Sequence, residues 1–556
     1  MAEETKIQLL NRRWSALKQE RSSWYGHWSD VSSYLLPVNG RYFISDRNKG
    51  LKRHNAIYDS TGTRALRVLA AGMMSGMTSP SRPWFRLSIP DRDLMQYQPV
   101  KQWLNRVTVQ IQDVFSRSNA YRVLHSMYEE LGAFGTASAL IAEDYHSIIH
   151  MHPFTIGEYA IATDWKGNVV TLYREFDKTV GEIVKEFGLD SCSNTVKLCF
   201  QRGALDEWVT LIHAIEPRAD RDLSKQDAKN MPWKSIYYER SATEGNVLRE
   251  SGFKSFPCVA PRWATVGGDI YGVSPGMEAL GDIKQLQAQQ FRKSQAIDYQ
   301  ANPPIQVPTG MKNREIELFP GGISYYDASS GTQGIKTAFE VNLNLQTLLL
   351  DIQDVRGRIN GCFYSDIFMM ISQQDQRMTA TEVAERHEEK MLMLGPVVER
   401  LNNELLDPLV ETVFERLLTA GMLPPPPEEL QGNDLNVEYV SMLAQAQQAI
   451  AVNGIDRFVA NLGQIALIKP EVLDKFNSDH WVDKYSDSLG IDPELIIGGE
   501  QLALVRKQHA QQLQQAQQAA QLQQGSEILK NAGQASTQPG TAAGDVLAFM
   551  KGKGKG

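Results

Sequence analysis

The residues in this 556-residue chain that could do chemistry are scattered, and each set stops short of a working site. His146, His150 and His152 come close together, but they sit on short strand-like segments beside Pro153, where core or surface histidines are the simpler reading. His387-Glu388-Glu389-Lys390 begins like the H-E-x-x-H helix of zinc proteases, in which two histidines one turn apart hold the metal, and it lacks the second histidine. The pairs Glu129-Glu130 and Glu388-Glu389 are the ordinary solvated kind. No G-x-x-x-x-G-K-[ST] phosphate loop occurs, and no G-x-S-x-G nucleophile elbow. Catalytic, cofactor-binding and metal residues are therefore not expected. An ATP-driven nuclease, the nearest enzymatic alternative, lacks its phosphate loop.

Cys192, Cys199, Cys258 and Cys362 form no C-x-x-C pair and read as free thiols in a reducing compartment. Lys plus Arg number 57 against 65 Asp plus Glu, a net charge of -8, which argues against a chain that grips nucleic acid through a broad basic face. It does not argue against one that surrounds DNA without holding it. Hydrophobic residues at 42% and charged residues at 22% are those of a globular protein, and the length calls for two to four modules. The acidic start MAEETKIQLL is not a signal peptide. Val68–Met77, the most apolar window, is too short to span a bilayer and reads as a buried helix. A cytosolic, soluble chain without a membrane partner is expected.

The elements fall into a clear order. Residues 1–130 are mostly helical, with helical apolar spacing over Ile7–Leu17 and Val100–Phe115. From 136 to 265 the texture is that of short strands, including a hairpin over EYAIATD-WKGN-VVTLYREF that turns at Gly167. Ser274 as N-cap and Pro275 at the first helical position start a helix that runs to Asn302, roughly 40 Å at 1.5 Å per residue. Met277, Leu280, Ile283, Leu286, Phe291 and Ile297 make only a narrow stripe along it, so neighbours should pack laterally while one face stays wet. A Pro/Gly-rich insert follows, then a second helix with Leu345, Leu348, Ile352, Val355 and Ile359 on one face.

FMMISQQDQR (368–377) shows neither helical nor strand spacing. Behind it, Thr379 and Glu382 form a T-x-x-E capping box, and Leu394, Val398, Leu401, Leu405, Leu409 and Val413 carry a helical period through Pro396 and Pro408. That unbroken period predicts a long kinked helix, ending near Gly421 before the spacer Pro424–Pro427. Short helices are expected over 437–500 and a Gln/Ala-rich helix after 501. The tail from Gly525 reads as disordered.

The stretches YDSTGTRALRVLAAGMMSGMTSPSRPWFRL (58–87), YGVSPGMEALGDIKQL (271–286), RMTATEVAERHEEK with LGPVVERLNNELLDPLVE (377–411) and VEYVSMLAQAQQA (437–449) carry a family resemblance. In this order along the chain, they resemble the portal, or head-to-tail connector, proteins of short-tailed bacteriophages.

The resemblance implies an α+β, mainly helical, ring-forming portal fold with wing, stem, clip and crown. It maps the wing to 1–270, the stem helices to 271–302 and 341–367, and the clip to 303–340. A tunnel loop falls at 368–378, a kinked wing helix at 379–423, the crown at 424–500, and the Gln-rich helix and tail at 501–556. It implies a homo-oligomer of about twelve subunits by ring symmetry, with double-stranded DNA passing through its channel. The implied partners are terminase, major capsid and scaffolding proteins, and tail adaptor and nozzle proteins; the implied location is a capsid vertex, after assembly in the host cytoplasm. The tunnel-loop candidates are Ser372, Gln373, Gln374, Gln376 and Arg377, whose glutamines can exchange weak hydrogen bonds with a moving duplex. Lys284, Arg292 and Lys293 are the candidates to face the channel from the stem, and Lys312, Arg314, Glu315 and Glu317 those to meet terminase or adaptor. The alternative, a helical scaffolding protein without a channel, suits the Gln-rich end but not the strands of 136–265.

Overall fold

Cap chemistry and apolar spacing set the first helix. In the computed structural model Gln8 N donates to the Thr5 hydroxyl while Thr5 N donates to Gln8 Oε1 (2.9 Å), a reciprocal cap that starts α1 (Lys6–Ser22). Ile7, Leu10, Trp14 and Leu17 recur along α1 and are all buried. The structure describes residues 5–41, 56–91, 94–95, 97–225, 227–241, 247–307, 336–337, 345–372, 394–430, 435–440, 458–459, 461–465, 469, 471, 475–489 and 502–516. The chain forms two units, Met1–Ser88 with Arg106–Pro425 and Asn436–Phe476, and Ile89–Asn105 with Pro426–Leu435 and Asn477–Gly556.

In the larger unit, α2 (Tyr25–Tyr34) and α3 (Thr61–Met77) precede β1 (Phe85–Ser88). α4 (Gln98–Arg117) begins in the smaller unit, and α5 (Ala120–Phe134) packs on α3. Next come β2 (Ser138–Asp144), β3 (Ile148–Phe154), β4 (Tyr159–Thr163) and β5 (Val169–Thr179). Thr179 and Glu182 then form a second capping box and start α6 (Val180–Phe187), followed by α7 (Asn194–Gln201), two helices inside a region read as strands. β6 (Trp208–Pro217), β7 (Trp233–Glu239), β8 (Arg249–Phe253) and β9 (Cys258–Val259) complete the β segment.

The strands make an antiparallel sheet in the order β4-β5-β6-β7-β8 and a smaller one in the order β3-β2-β9. Side chains alternate between the faces of the larger sheet, and both faces are covered. Tyr173, Ile212, Ala214, Ile236 and Tyr238 pack against the apolar stripe of α1. Phe176 and Leu211 pack against Val180 and Ile183 of α6 and Val196 of α7. The β4–β5 hairpin turns where the sequence placed it, with Gly167 at φ 85°.

After the sheets, α8 (Pro275–Glu278) and α9 (Leu280–Ala301) form the long helix, in two pieces joined at Ala279. β10 (Ile305–Gln306) pairs with β11 (Lys336–Thr337) at the base of the insert, and α10 (Leu345–Cys362) returns beside α9. Tyr364, at φ 52°, breaks the chain before α11 (Ser365–Ser372). The first five residues of the FMMISQQDQR run are therefore helical, correcting the loop boundary read at 368. α12 (residues 394–401) passes through a π-helical turn, Asn402–Leu406, into α13 (Asp407–Thr419). The helix thus continues through Pro408 by widening one turn ahead of it, where a proline cannot supply an N–H. β12 (Asn436–Tyr439) pairs antiparallel with β1, a strand at the start of the region read as short helices.

The smaller unit holds α14 (Ser478–Leu489), with Asn477 Oδ1 accepting from His480 N (3.1 Å), and the Gln-rich α15 (residues 502–516). Arg506 donates to both oxygens of Asp479 (2.7 Å each), joining these two helices.

Candidate functional site

The paired helices α9 and α10 and the segment that follows them form the candidate site. Ser274 fixes where the first begins: its hydroxyl accepts from Met277 N (3.0 Å) and donates to Ala133 O (2.7 Å), tying the start of α8 to the end of α5. Along α9 only the near half of the predicted stripe is covered. Leu280, Ile283 and Leu286 are buried, whereas Phe291, Ile297 and Tyr299 are exposed. α10 leaves Leu349 and Leu350 in water as well, the latter 67% exposed.

Polar bonds hold the pair together. Arg358 Nη2 meets Asp282 at 3.1 Å, and Gln289 donates to Asp351. The central knot is Asp59, just ahead of α3, whose carboxylate accepts from Arg356 Nη2 (2.7 Å), Gln290 Nε2 (3.0 Å), Thr61 N (2.9 Å) and Thr61 Oγ1 (2.5 Å). Burial alone would raise the Asp59 carboxyl; the bonds from Thr61 and Arg356 outweigh it and hold it below the usual carboxylate range. Gln287 completes the knot, its Oε1 accepting from Tyr58 N (2.6 Å) and Asp59 N (2.8 Å).

The proposed cations separate into two groups. Lys284 Nζ bonds Asp30 Oδ2 of α2 at 2.7 Å and lies 5.6 Å from the Tyr34 ring centre, so it is engaged within its own chain. Arg292 is exposed and Lys293 half-buried, and neither makes an ion pair among the described residues. Lys312, Arg314, Glu315 and Glu317 lie outside the described residues, as do Gln373, Gln374, Gln376, Arg377 and the Thr379–Glu382 capping box. Ser372 is the last residue of α11.

Both flanks of 373–393 are anchored. On one side, Ile367 and Phe368 of α11 are buried, and Phe368 lies so close to α3 that a Cβ on Gly72 would fall 2.6 Å from its own Cβ. On the other side, the π-helical turn presents Glu404 to the buried Arg262. Arg262 Nη2 meets Glu404 Oε1 at 2.6 Å, and Arg262 N and Nε both donate to Oε2, at 2.9 and 3.2 Å. The same guanidinium donates to Gly167 O of the β4–β5 turn (2.7 Å). One turn on, Asp407 accepts from the Tyr439 hydroxyl of β12. Sequence reading missed Asp59, Arg262, Glu404 and Asp407. Only Pro408, which marks the turn ahead of it as irregular, hinted at Glu404.

The remaining chemistry is sparse. The His150 and His152 rings lie 4.7 Å apart, and among the described residues no group of three His, Cys, Asp or Glu side chains could hold a metal. The four cysteines are free. Among the described residues no helix is long and apolar enough to cross a membrane.

Comparison with known proteins gives the family. Residues 7–497 match the family described as bacteriophage head to tail connecting protein. The chain belongs to that family. A probable portal protein of Bordetella phage BPP-1 is 60% identical over 99% of this chain and 100% of its own length. The portal protein of Salmonella phage epsilon15 is 44% identical over 98% of both chains. Of solved structures, a chain from the neck of an empty GTA particle covers 76% of this chain and 92% of its own, at 10% identity and a TM-score of 0.36. As a family member the chain is a structural head-to-tail connector of the short-tailed phage type, a non-enzymatic component of the virion at the head–tail junction.

Proposed function

We propose that about twelve copies close into a ring by one repeated contact, with α9 and α10 forming the stem of a channel for double-stranded DNA. The observation that carries this reading is the set of exposed apolar side chains Phe291, Ile297, Tyr299, Leu349 and Leu350 on the part of the helix pair that its own chain leaves uncovered. Lateral neighbours would bury them at about 25 cal/mol per Å² of apolar surface. Arg292 and Lys293, without ion-pair partners, are then the stem cations offered to phosphates, and Lys284 is not. The wing holds the ring in the capsid vertex against capsid and scaffolding proteins. The insert between β10 and β11 docks first terminase, during assembly in the host cytoplasm, and then the tail adaptor and nozzle.

Residues 373–377, which follow α11 in sequence, act on DNA in transit. One arginine per subunit, Arg377, gives a salt-sensitive and easily broken phosphate contact, suited to sliding and to retaining packaged DNA. Phage carrying a deletion of Gln373–Gln376 should incorporate portal normally and retain less genome. Full-length, stably held genomes in those particles would refute this role.

A further inference from the structure

A cavity of about 290 Å³ opens between α13, the β4–β5 turn and β9. Val169, Phe256 and Ala260 give it apolar lining, and Glu404, Glu411 and Glu415 line it with carboxylates. Glu404, Asp407, Glu411 and Glu415 follow at helical spacing along one side of α13 and the turn before it. The first two are spent, Glu404 on Arg262 and Asp407 on Tyr439. Glu411 and Glu415 remain: Glu415 accepts only a hydroxyl bond from Ser255 (3.1 Å), and neither has an ion pair among the described residues. They are one turn apart, where like charges repel. Burial, and then Asp407 behind it, raise the Glu411 carboxyl, as expected of an acid short of a counter-ion.

The β4–β5 turn, which lines the cavity through Asn168 and Val169, adds a separate observation. Trp165, 90% exposed, stands on the β4–β5 turn. That turn is rigid: Asp164 Oδ1 accepts from Lys166 N (2.9 Å) and Asn168 N (2.8 Å), and Arg262 holds Gly167 O. A large aromatic ring displayed on a fixed turn beside a groove has the form of an interface anchor. Apolar lining, carboxylates and a tryptophan on the adjoining turn together suit arginine, whose stem packs, whose fork pairs with carboxylates and whose plane stacks on tryptophan.

A chain of net charge -8 repels its own copies unless oppositely charged patches meet. In a ring the contact is heterologous, so two different surfaces of the same chain must be complementary. α3 offers the other surface: Arg64 and Arg67 are exposed one turn apart and make no ion pair among the described residues. We infer that the groove receives the arginine face of α3 from a neighbouring copy, with Arg64 and Arg67 meeting Glu411 and Glu415 and Trp165 packing over the contact.

This contact rests on the ring reading, and the test separates the two. Three variants are compared with the wild type by native mass spectrometry, with circular dichroism to confirm folding: Glu411→Arg with Glu415→Arg, Arg64→Glu with Arg67→Glu, and all four together. Each pair of reversals should lower the ring fraction at least tenfold, and the fourfold variant should restore it. Trp165→Ala should weaken the ring without changing its salt dependence. A wild-type ring that tolerates the acid reversal, or a loss that the combined reversal does not repair, overturns this contact alone. A wild-type chain that stays monomeric overturns the ring reading and the contact with it.

Discussion

Gly72→Ala tests how the segment leaving α11 is rooted on α3. The new Cβ would lie 2.1 Å from Phe368 Cγ and 2.6 Å from Phe368 Cβ, and the second of these cannot swing away because it sits on the α11 backbone. Two effects oppose each other. Replacing glycine inside a helix gains about 1 kcal/mol, whereas overpacking a tight contact costs roughly 1–3 kcal/mol. The clash should win, leaving α11 less stable by up to about 2 kcal/mol on these values. In a Phe368→Gly background, which removes that Cβ too, the clash is gone and only the helix gain remains, so the same substitution should change sign. Coupling between the two sites should then equal the clash itself, about 1–3 kcal/mol, as for residues in contact. Amide hydrogen exchange over Ser365–Ser372 is the assay, because it reads local opening in a chain too large for one global transition. Slower exchange with Gly72→Ala in both backgrounds would show that helix propensity alone decides, and that α11 does not rest on α3 as described.

Arg262→Met should be costly, about 3–5 kcal/mol, because it leaves the part-buried Glu404 only the longer contact to Arg400 Nη1 (3.5 Å). Adding Glu404→Gln should recover part of that loss in urea unfolding, and a double variant as unstable as the sum would refute the pairing. Stability should also fall with acid through His213, which is buried, hydrogen-bonded to Ser235 Oγ (2.8 Å), stacked on Tyr237 and near the cations Arg174 and Arg249. Burial, and then those arginines, hold it neutral well below its ordinary range, so its contribution is complete above about pH 6.5, the unfolded value, and is lost as pH falls below it. His213→Leu should flatten the acid limb of a stability–pH profile, and an unchanged slope would refute the assignment.

How much of this was legible depended on how local the cause was. Ser274, Pro275 and the Gly167 turn act on their immediate neighbours, and the structure places them as the sequence implies. The joint at Ala279 left no trace, since alanine is the best helix former and gives no sign of a break. The Thr179–Glu182 box was present in the sequence, but the strands around it masked the short α6 behind it. FMMIS reads as irregular because five residues are too few to set a period; its helix depends on burial against Gly72, nearly three hundred residues earlier. The partners of Asp59, Arg262 and Asp407 are equally remote in sequence. What long-range pairing decides, periodicity does not announce. The tunnel-loop and clip candidates, apart from Ser372, lie outside the described residues.

The ring itself is most directly tested by electron microscopy of the purified chain viewed down the particle axis, with the mass measured on the same sample. Closed rings of about twelve copies with an open centre are expected, roughly 750 kDa for subunits of 62.4 kDa. A single species of 62.4 kDa at micromolar concentration, or open filaments in place of rings, would contradict it.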